Sequence, residues 1–307
     1  MRLVFIGTST FACPALERLR RDHDVSLVVT QPDRPAGRGR RLRASPVKRM
    51  AHDLGLQIAQ PENVNTEDAI DRIRASSPEV IVVASYGQIL KSSLFTLAGR
   101  GAINIHASIL PALRGAAPVH WAIIRGEETT GVTTFLIDRG MDTGELLCQE
   151  TLPIGPDETE GELENRLADL GADVIMQTLE ALAAGVLHPK PQPEEGISLA
   201  PQLTRDDARI DWEKQAAAVH NLVRGTNPWP GAWAMLGEER IKIHRSARTG
   251  ILRGSVSSGE IALAETGRLL VGCGDELIQL LEVQREGRPR VDGNSFLNGL
   301  RGDGRFG

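Results

Sequence analysis

The sequence predicts an α/β protein in which a doubly wound, mostly parallel β-sheet precedes a smaller domain of short β-strands. Apolar runs at Leu3–Ile6 and Val25–Val29 flank a segment of helical periodicity, Pro14–Arg21, and this order opens a parallel sheet. Val80–Ala84 is an uninterrupted apolar run, which is typical of a central strand covered on both faces. Toward the end of the chain, short apolar segments alternate with glycines and predict a small barrel or sandwich.

Capping residues and periodicity predict the remaining elements of the first domain. Pro46 begins a helix to Leu54, and Asn65 and Thr66 cap a helix that reaches Ser76. A broad apolar stripe predicts a long helix over residues 161–184. The shorter elements are a strand at Leu56–Ile58, a helix at Ser93–Ala98, a strand within Gly101–Pro111, a helix through Val119–Ile124, and strands at Gly131–Ile137 and Glu145–Glu150.

A proline-rich segment divides the chain. Gly185–Pro201 contains four prolines and little apolar periodicity, which predicts a linker in which little of the backbone joins a ladder or helix. We therefore expect a first domain at 1–188, a linker at 189–205 and a second domain at 206–307. In the second domain we predict one helix at Ile210–Arg224 and strands at Arg240–His244, Gly254–Val256, Leu269–Val271 and Leu277–Val283.

Composition restricts the class of protein. The chain has 307 residues, of which 41% are hydrophobic and 24% are charged, as in ordinary globular proteins. No apolar run approaches the ~20 residues that span a bilayer, so we expect no membrane partner. The three widely spaced cysteines predict a cytosolic protein with free thiols and no zinc site. The turn after the first strand, Gly7-Thr-Ser-Thr-Phe11, lacks the dinucleotide fingerprint.

The net charge of −5 argues against indiscriminate binding of nucleic acid, but one segment is strongly basic. Arg34–Arg49 contains seven basic residues and no acidic one. The loop Gln31–Pro46 contains three prolines and two glycines, so we expect no regular structure there. Loops of this length in a compact domain are commonly functional, although a solvated basic loop is the alternative.

Asn104 and His106 lie within the predicted strand Gly101–Pro111. Side chains alternate along a strand, so these two share one face while Ile103 and Ile105 pack the other. Polar groups inside a strand are costly to bury without partners, which suggests a function. The alternative is that Asn104 satisfies local backbone groups and His106 is a hydrogen-bonded core histidine.

Several motifs together resemble the folate-dependent formyltransferases. They are Asn104-x-His106, Ser108-Ile-Leu-Pro111 and Met141-Asp-Thr-Gly144. Three further segments resemble the branch of that family that formylates methionyl-tRNA: Pro32–Gly39, Arg114–Pro118 and Asn227–Pro230. Ile109 stands where Leu is more usual and Ala107 where Gly is common, which affects only the local shape of the folate pocket.

The resemblance implies a Rossmann-like catalytic domain followed by an OB-like β-barrel that binds tRNA. It implies 10-formyltetrahydrofolate as co-substrate, no metal, and initiator methionyl-tRNA as the partner that is formylated for translation initiation. It also implies a cytoplasmic enzyme, which we expect to be a monomer. By the same resemblance Asp142 joins Asn104 and His106 as the catalytic residues.

The chemistry of formyl transfer suits these three residue types. Transfer to an amine passes through a tetrahedral intermediate with a negative oxygen, which needs a fixed hydrogen-bond donor. The amide of Asn104 can donate without titrating, and His106 changes charge near neutral pH, as proton transfer requires. Asp142 can hold the imidazole and favour its protonated form. The alternative for Asp142 is a residue that only forms an Asx turn.

The resemblance also implies binding residues. Those for folate are Tyr86, Gly87, Gln88, Ile89, Leu90, Ser108, Ile109, Leu110, Pro111, Asp138 and Met141. Tyr86 and Ile89 are equally well explained as core residues. The candidate tRNA-binding residues are Arg34, Arg38, Arg40, Arg41, Arg43 and Lys48.

Two other functions remain open at this point. The first is a folate-dependent formyltransferase that acts on a small-molecule amine, although a small acceptor needs neither the second domain nor the basic loop. The second is a non-catalytic RNA-binding protein. The aromatic content of this chain is only 4% and the RNP signature is missing, so it has few side chains on which RNA bases could stack, which disfavours that alternative.

Overall fold

The structure is a computed structural model that describes residues 1–36, 41–262, 267–300 and 304–307. Contacts group the chain into two compact units. The first comprises Met1–Pro118, Thr129–Pro153 and Glu164–Pro201. The second comprises Val119–Glu128, Ile154–Leu163 and Gln202–Gly307. The domain boundaries expected at 188 and 206 stay a prediction.

The first unit is built on a seven-stranded sheet. Its strands are β1 (Arg2–Gly7), β2 (Asp24–Val29), β5 (Ile58–Ala59), β6 (Val80–Ala84), β7 (Ala102–His106), β8 (Thr129–Leu136) and β9 (Leu146–Pro153). In space their order is β5-β2-β1-β6-β7-β8-β9. The pairs from β5 to β7 are parallel, whereas β8 and β9 pair in antiparallel fashion. The predicted α/β class with a mostly parallel sheet is confirmed.

Helices cover this sheet. Those that lie wholly in the first unit are α1 (Cys13–Asp22), α2 (Pro46–Asp53), α3 (Glu67–Ala75) and α4 (Ser92–Phe95). Helix α5 (Pro118–Ile124) belongs to the second unit from Val119 on, and α6 (Glu160–Ala184) starts in the second unit and continues through the first from Glu164. Ser45 and Thr66 accept hydrogen bonds from backbone N–H groups at the first turns of α2 and α3, as N-caps do. Every residue of β6 is buried, as expected for a central strand.

Helix α6 packs against one face of β7 and leaves the other face to Asn104 and His106. A Cβ on Gly171 of α6 would lie 3.0 Å from Cγ2 of Ile105, so the helix backbone approaches this strand closely. The hydroxyls of Thr134 on β8 and Thr178 on α6 form a 2.7 Å hydrogen bond. Since Ile105 faces α6, the alternation of side chains turns Asn104 and His106 to the other face of the sheet.

The basic loop contains regular structure, contrary to our expectation. Strands β3 (Arg34–Ala36) and β4 (Arg41–Arg43) pair in antiparallel fashion. A hairpin tolerates proline at positions whose N–H makes no ladder bond, which explains why Pro35 does not prevent pairing. The brief strand predicted at Leu56–Ile58 begins later, at Ile58, because β2 pairs with Ile58 and Ala59.

The predicted linker forms several backbone hydrogen bonds within the first unit, so more of its backbone is paired than we expected. Lys190 exchanges two such bonds with Leu146, at 2.7 and 3.0 Å. Arg114 donates to the Ser198 carbonyl at 2.9 Å and accepts from the Ala200 N–H at 2.7 Å. Prolines lack an N–H, but the residues between them keep theirs and use them here.

From Gln202 onward, the described residues of the second unit form an antiparallel sheet with two α-helices. Its strands are β10 (Ala232–Leu236), β11 (Glu239–Leu252), β12 (Ile261–Ala262), β13 (Leu270–Gly272), β14 (Glu276–Arg285) and β15 (Arg290–Asp292), and its helices are α7 (Ala216–Gly225) and α8 (Gly293–Asn298). The strand order is β10-β11-β14-β13-β12, with β15 beside β14. One core cluster fills its interior and includes Val219, Ile243, Ile278 and Phe296.

Residues 304–307 bridge the two ends of this curled sheet. Gly307 and Met235 of β10 exchange hydrogen bonds of 2.8 and 3.0 Å. On the other side, Phe306 donates to Gly259 at 2.8 Å and Gly304 accepts from Ile261 of β12 at 3.0 Å. The sheet therefore curls into the small barrel that was one of the two expected forms, and these bonds use backbone groups of both edge strands, β10 and β12.

Two predicted elements of the second unit are wrong. The helix expected at Ile210–Arg224 begins only at Ala216, because the Ile210 N–H donates to the Trp233 carbonyl at 2.8 Å and Asp211 forms a turn. The strand expected at Gly254–Val256 is a turn, in which Val256 donates to the Arg253 carbonyl. Within the described ranges, no helix is long and apolar enough to cross a membrane.

Candidate active site

Strand β7 carries Asn104 and His106 at the edge of the sheet where the parallel strands end. Asn104 pairs with Val83 of β6 and with Phe135 of β8, and His106 pairs with Thr133. Asn104 is half-buried, whereas His106 is 5% exposed. The amide of Asn104 is therefore still reachable by a bound molecule, and the imidazole is enclosed by protein.

The His106 ring is held by a contact at each nitrogen. Its Nε2 lies 3.0 Å from the Leu113 carbonyl oxygen, and its Nδ1 lies 3.7 Å from Oδ2 of Asp142. Burial lowers the pKa of His106, while the Asp142 carboxylate and the Leu113 carbonyl act in the opposite direction and raise it. Both nitrogens face acceptors, so the charged imidazolium is the form that these neighbours satisfy.

Asp142 lies in the loop between β8 and β9, residues 137–145, which we call the Asp142 loop. This loop starts beside the first residues of β7, away from His106. Because β8 is antiparallel, its last residue Leu136 pairs with Ile103 rather than with His106. The loop then folds back, and Oδ2 of Asp142 accepts a 2.8 Å hydrogen bond from the Gly115 N–H. Asp142 has a φ of 54°, in the left-handed region that non-glycine residues seldom occupy.

A different residue forms the Asx turn in this loop. Oδ1 of Asp138 accepts hydrogen bonds from the Gly140 N–H at 3.0 Å and from the Thr143 hydroxyl at 2.7 Å. Asp142 instead bonds to Gly115, which belongs to another loop. The alternative that Asp142 only forms a local turn is therefore wrong. The carboxylate joins two loops at the histidine.

The residues expected to bind folate lie mainly on two adjacent strand ends. Tyr86, Gly87, Gln88, Ile89 and Leu90 follow β6, Ser108, Ile109, Leu110 and Pro111 follow β7, and Asp138 and Met141 belong to the Asp142 loop. Ile89 is 86% exposed and Met141 is 62% exposed. Two large apolar side chains that meet solvent on these segments are suited to contact a flat, partly apolar ligand.

Two of these residues have structural partners of their own. Tyr86 is buried in the core cluster beside Leu90, and burial raises its pKa to about 12. The Gln88 side chain accepts a 3.0 Å hydrogen bond from the Val64 N–H and donates to the Glu62 carbonyl at 2.9 Å. Their side chains hold the segment in place, and Ile89 is not a core residue.

Two residues that fix the turn after β7 belong to no motif that sequence reasoning singled out. The Thr133 hydroxyl donates to the Ser108 carbonyl at 2.7 Å and accepts from the Leu110 N–H at 3.1 Å. Gln149 donates to the Leu110 carbonyl at 2.9 Å and to Thr133 at 3.0 Å. The antiparallel pairing of Thr133 with His106 is the signal that would have identified the first of them.

The candidate tRNA-binding residues have different environments. Arg34 and Arg43 are exposed and lie directly opposite each other in the β3–β4 hairpin. Lys48 forms a 2.7 Å ion pair with Asp33, so its charge is neutralised within the protein. Arg38 and Arg40 lie outside the described residues, as does the side chain of Arg41.

The described ranges contain no group of three or more His, Cys, Asp or Glu side chains that could hold a metal ion. Cys13, Cys148 and Cys273 are free thiols. The site described above therefore consists of an amide, an imidazole and a carboxylate together with the backbone groups that hold them.

Gly144 fits the loop only because it has no side chain. A Cβ at this position would overlap the carbonyl oxygen of Leu136, which is backbone and cannot rotate away. We expect Gly144→Ala to reduce the free energy of unfolding by about 1–3 kcal/mol, as overpacking does. Thermal unfolding measures this. Gly99→Ala is the matched control because a Cβ there meets open space, and equal melting of the two variants would contradict the argument.

Comparisons with known proteins identify relatives along the whole chain. Residues 1–179 match the family described as Formyl transferase, and residues 202–301 match Formyl transferase, C-terminal domain. The chain is 44% identical over 302 residues to the methionyl-tRNA formyltransferase of Geobacter sulfurreducens, covering 98% of this chain and 94% of that protein. It is 45% identical over 302 residues to the methionyl-tRNA formyltransferase of Solibacter usitatus, and this match covers 98% of this chain and 96% of that protein.

A solved structure shares the fold at lower sequence identity. WlaRD, a sugar 3N-formyl transferase solved in the presence of dTDP and 5-N-formyl-THF, superposes with a TM-score of 0.69 and 18% identity. The match covers 94% of this chain and 99% of that protein. At this identity the match demonstrates a common fold.

Proposed function

The chain belongs to the formyl transferase family, and on this basis we propose that it transfers the formyl group of 10-formyltetrahydrofolate to the amino group of methionyl-tRNA. The product is N-formylmethionyl-tRNA, which serves in translation initiation. The observation that supports this most directly is the His106–Asp142 pair on the face of β7 that also carries Asn104. The relatives at 44% and 45% identity support the choice of acceptor.

Asn104 is proposed to bind the oxygen on which negative charge develops during transfer. Its amide donates a hydrogen bond without changing its own charge, and its half-buried position leaves it accessible to the substrate. A donor fixed on a central strand loses no free energy to reorganisation as the charge develops. This role needs no movement of β7.

The His106–Asp142 pair is proposed to take up the proton that the attacking amine releases. The amine nitrogen first bonds to the formyl carbon and gives the tetrahedral intermediate. The bond from that carbon to folate N10 then breaks, and N10 keeps the electron pair and takes the proton that His106 holds. Burial lowers the pKa of His106, which favours the neutral imidazole that can accept this proton. Asp142 and the Leu113 carbonyl then stabilise the imidazolium, so the two residues act as one titrating unit.

The folate, when bound, supplies the formyl group. We propose that the segments after β6 and β7 hold it, because the exposed side chains of Ile89 and Met141 offer apolar contact there. At the same edge, Thr133 and Gln149 keep the turn of Ser108 and Leu110 fixed through bonds to its backbone. Tyr86 and Gln88 contribute through the position of their backbone, since their side chains are occupied by the core and by residues 62–64.

We propose that the first unit holds the catalytic site and that the second unit contributes to binding initiator methionyl-tRNA. We place the boundary between the catalytic part of the chain and the tRNA-binding part after Ala200, because Lys190 and Ala200 are hydrogen-bonded to Leu146 and Arg114 of the first unit. A tRNA substrate also favours the cytoplasm as the location. The expected monomer stays a prediction.

Transfer to a small-molecule amine is the second candidate. The sugar 3N-formyl transferase that shares the fold has such an acceptor, but its 18% identity supports a common fold only. The methionyl-tRNA formyltransferases match over 98% of this chain, including the second unit, at more than twice that identity. The tRNA acceptor is therefore the better supported of the two.

A single-turnover assay with 10-formyltetrahydrofolate and methionyl-tRNA tests the proposal. We expect formylmethionyl-tRNA to accumulate, and we expect the folate to raise the melting temperature of the protein. Transfer to a small amino sugar in place of methionyl-tRNA would replace the proposal with the second candidate. Binding of tRNA without any folate effect would identify a non-catalytic RNA-binding protein.

Arg34 and Arg43 are the described cations best suited to contact tRNA phosphates. Like charges opposite each other in an antiparallel pair repel, and an anion between them relieves that repulsion. We expect Arg34→Ala with Arg43→Ala to weaken tRNA binding and to reduce the slope of log affinity against log salt by about 0.7–0.9 for each phosphate that is no longer neutralised. Binding measured over a range of salt concentrations checks this.

The matched control replaces two exposed arginines, Arg20 and Arg21, with alanine. They lie in the last turn of α1, just before β2 begins, and so at the opposite edge of the parallel strands. The affinity for folate should be unchanged in both double variants. Salt slopes that stay parallel to that of the wild type would mean that Arg34 and Arg43 touch no phosphate, and the hairpin would then be the solvated basic loop of the alternative interpretation.

A further inference from the structure

Gln192 lies in the proline-rich segment that we expected to be a linker, and its side chain contacts two loops of the candidate site. The bridge between Lys190 and Leu146 brings the chain to the end of the Asp142 loop two residues before Gln192. After it, Ser198 and Ala200 bond to the backbone of Arg114. The segment therefore runs from one loop to the other.

The carboxamide of Gln192 uses all of its hydrogen-bonding capacity. Nε2 donates to the carbonyl oxygens of Asp142 and Gly144, at 2.8 and 2.9 Å. Oε1 accepts from Nε and Nη2 of Arg114, at 3.1 and 2.6 Å. The orientation of the amide follows from chemistry, because a flipped amide would set its NH₂ against arginine donors and its oxygen against two carbonyls.

These four hydrogen bonds fix the position of Asp142, whose carboxylate lies beside His106. Asp142 has a left-handed φ of 54°, which costs free energy and persists only where surrounding contacts hold it. Gln192 binds the carbonyl of this residue and, through Arg114, the loop in which Gly115 donates to the Asp142 carboxylate. One side chain thus sets both the backbone of Asp142 and the donor that aims its carboxylate.

We propose that Gln192 is a positioning residue for catalysis: it holds the Asp142 loop against the Arg114–Gly115 loop so that the carboxylate faces His106. The inference rests on the proposed formyl transfer and extends it to a residue outside the triad. Glutamine suits the position because it offers two donors and one acceptor oxygen at a single planar group. Glutamate would lose both donors and face two carbonyls with negative charge.

The test compares Gln192→Met and Gln192→Glu with the wild-type enzyme in single-turnover formyl transfer at saturating substrates. Methionine has a similar length and removes all four bonds without adding charge, and glutamate keeps the contact with Arg114. We expect both variants to react about 10- to 100-fold more slowly, because small displacements of a catalytic group have effects of this size. The rate at saturating substrates should fall by more than the affinity for folate or for tRNA, since Gln192 bonds to the backbone of Asp142 and Gly144 and contacts neither proposed ligand directly.

A pH profile distinguishes positioning from a purely structural role. If the Asp142 carboxylate no longer faces His106, its field no longer raises the pKa of the imidazole, and the ionisation assigned to His106 should move to lower pH in Gln192→Met. Gln202→Met and Gln202→Glu are the matched controls, since Gln202 is exposed and the substitutions are the same. Both should leave the rate and the profile unchanged.

Each outcome has a definite meaning. Wild-type rates in both Gln192 variants would overturn the inference, and so would a lower melting temperature with an unshifted profile and a normal rate per folded molecule. If Gln192→Met does not fold, Gln192→Glu with an unchanged rate would overturn it in the same way. Failure of the wild-type enzyme to formylate methionyl-tRNA would instead refute the proposed function, so the two failures are distinguishable.

Discussion

Replacing Asn104 with Ala should lower the rate of formyl transfer by about 10²- to 10³-fold, equivalent to ~2.7–4 kcal/mol of transition-state stabilisation. The amide is the candidate donor to the developing negative oxygen, and alanine leaves that oxygen without it. Substrate binding should change little, because the charge is present only during transfer. Single-turnover rates and the Kd for folate, measured on the same preparations, check both expectations.

The fold should tolerate this change, because Asn104 is only half-buried and Ile103 and Ile105 keep the packed face of β7. Asn294→Ala, on the exposed surface of α8, is the matched control. A variant that melts normally and retains most of its transfer rate would show that another group binds the oxygen.

The parts of the fold that the sequence predicts correctly depend on short-range patterns. The apolar run of β6 can be accommodated only in a strand covered on both faces, and it is wholly buried. The alternation along β7 predicts which face carries Asn104 and His106, and Gly171 of α6 explains why Ile105 takes the other face. Such patterns are local, so a sequence displays them directly.

The contacts that assemble the site are long-range and leave no pattern in the sequence. The Gly115 N–H bonds to Asp142 and the Leu113 carbonyl faces His106, but glycine and leucine side chains take no part in either bond. Backbone groups are present at every residue, so no residue type marks those that serve the site. The role of Gln192 was missed for a related reason, since prolines around it suggested a linker.

Tertiary contacts also overrode local propensity in the second unit. The apolar spacing of Ile210–Arg224 fits one helix, yet Ile210 pairs with Trp233 and the helix starts at Ala216. In the same way the basic loop forms the β3–β4 hairpin despite its prolines and glycines. Strand pairing decided both cases, between separated segments at Ile210 and Trp233 and between neighbouring segments in the β3–β4 hairpin.

Replacing Asp142 with Asn should lower the rate by at least about 10²-fold while the protein remains folded. Asparagine keeps the size of the side chain, and its oxygen can still accept from the Gly115 N–H. It removes the negative charge 3.7 Å from Nδ1 of His106, so the imidazolium formed during transfer loses its stabilising neighbour. Asp169→Asn on the exposed side of α6 is the matched control.

The pH dependence of the Asp142→Asn variant separates this mechanism from a loss of shape. Burial already holds the pKa of His106 below its ordinary value of 6.5, and Asp142 is the charged group that opposes this. Without the carboxylate, the His106 ionisation in the pH–rate profile should move further to the acid side. Below the ordinary pKa of the histidine, the unfolded chain binds a proton that the folded protein does not, and this favours unfolding. Both proteins should therefore lose stability below about pH 6.5, and the variant should do so over a wider pH range because its His106 pKa is lower still. An Asp142→Asn enzyme with the wild-type rate and an unmoved profile would remove Asp142 from the reaction and leave it as a residue that joins two loops.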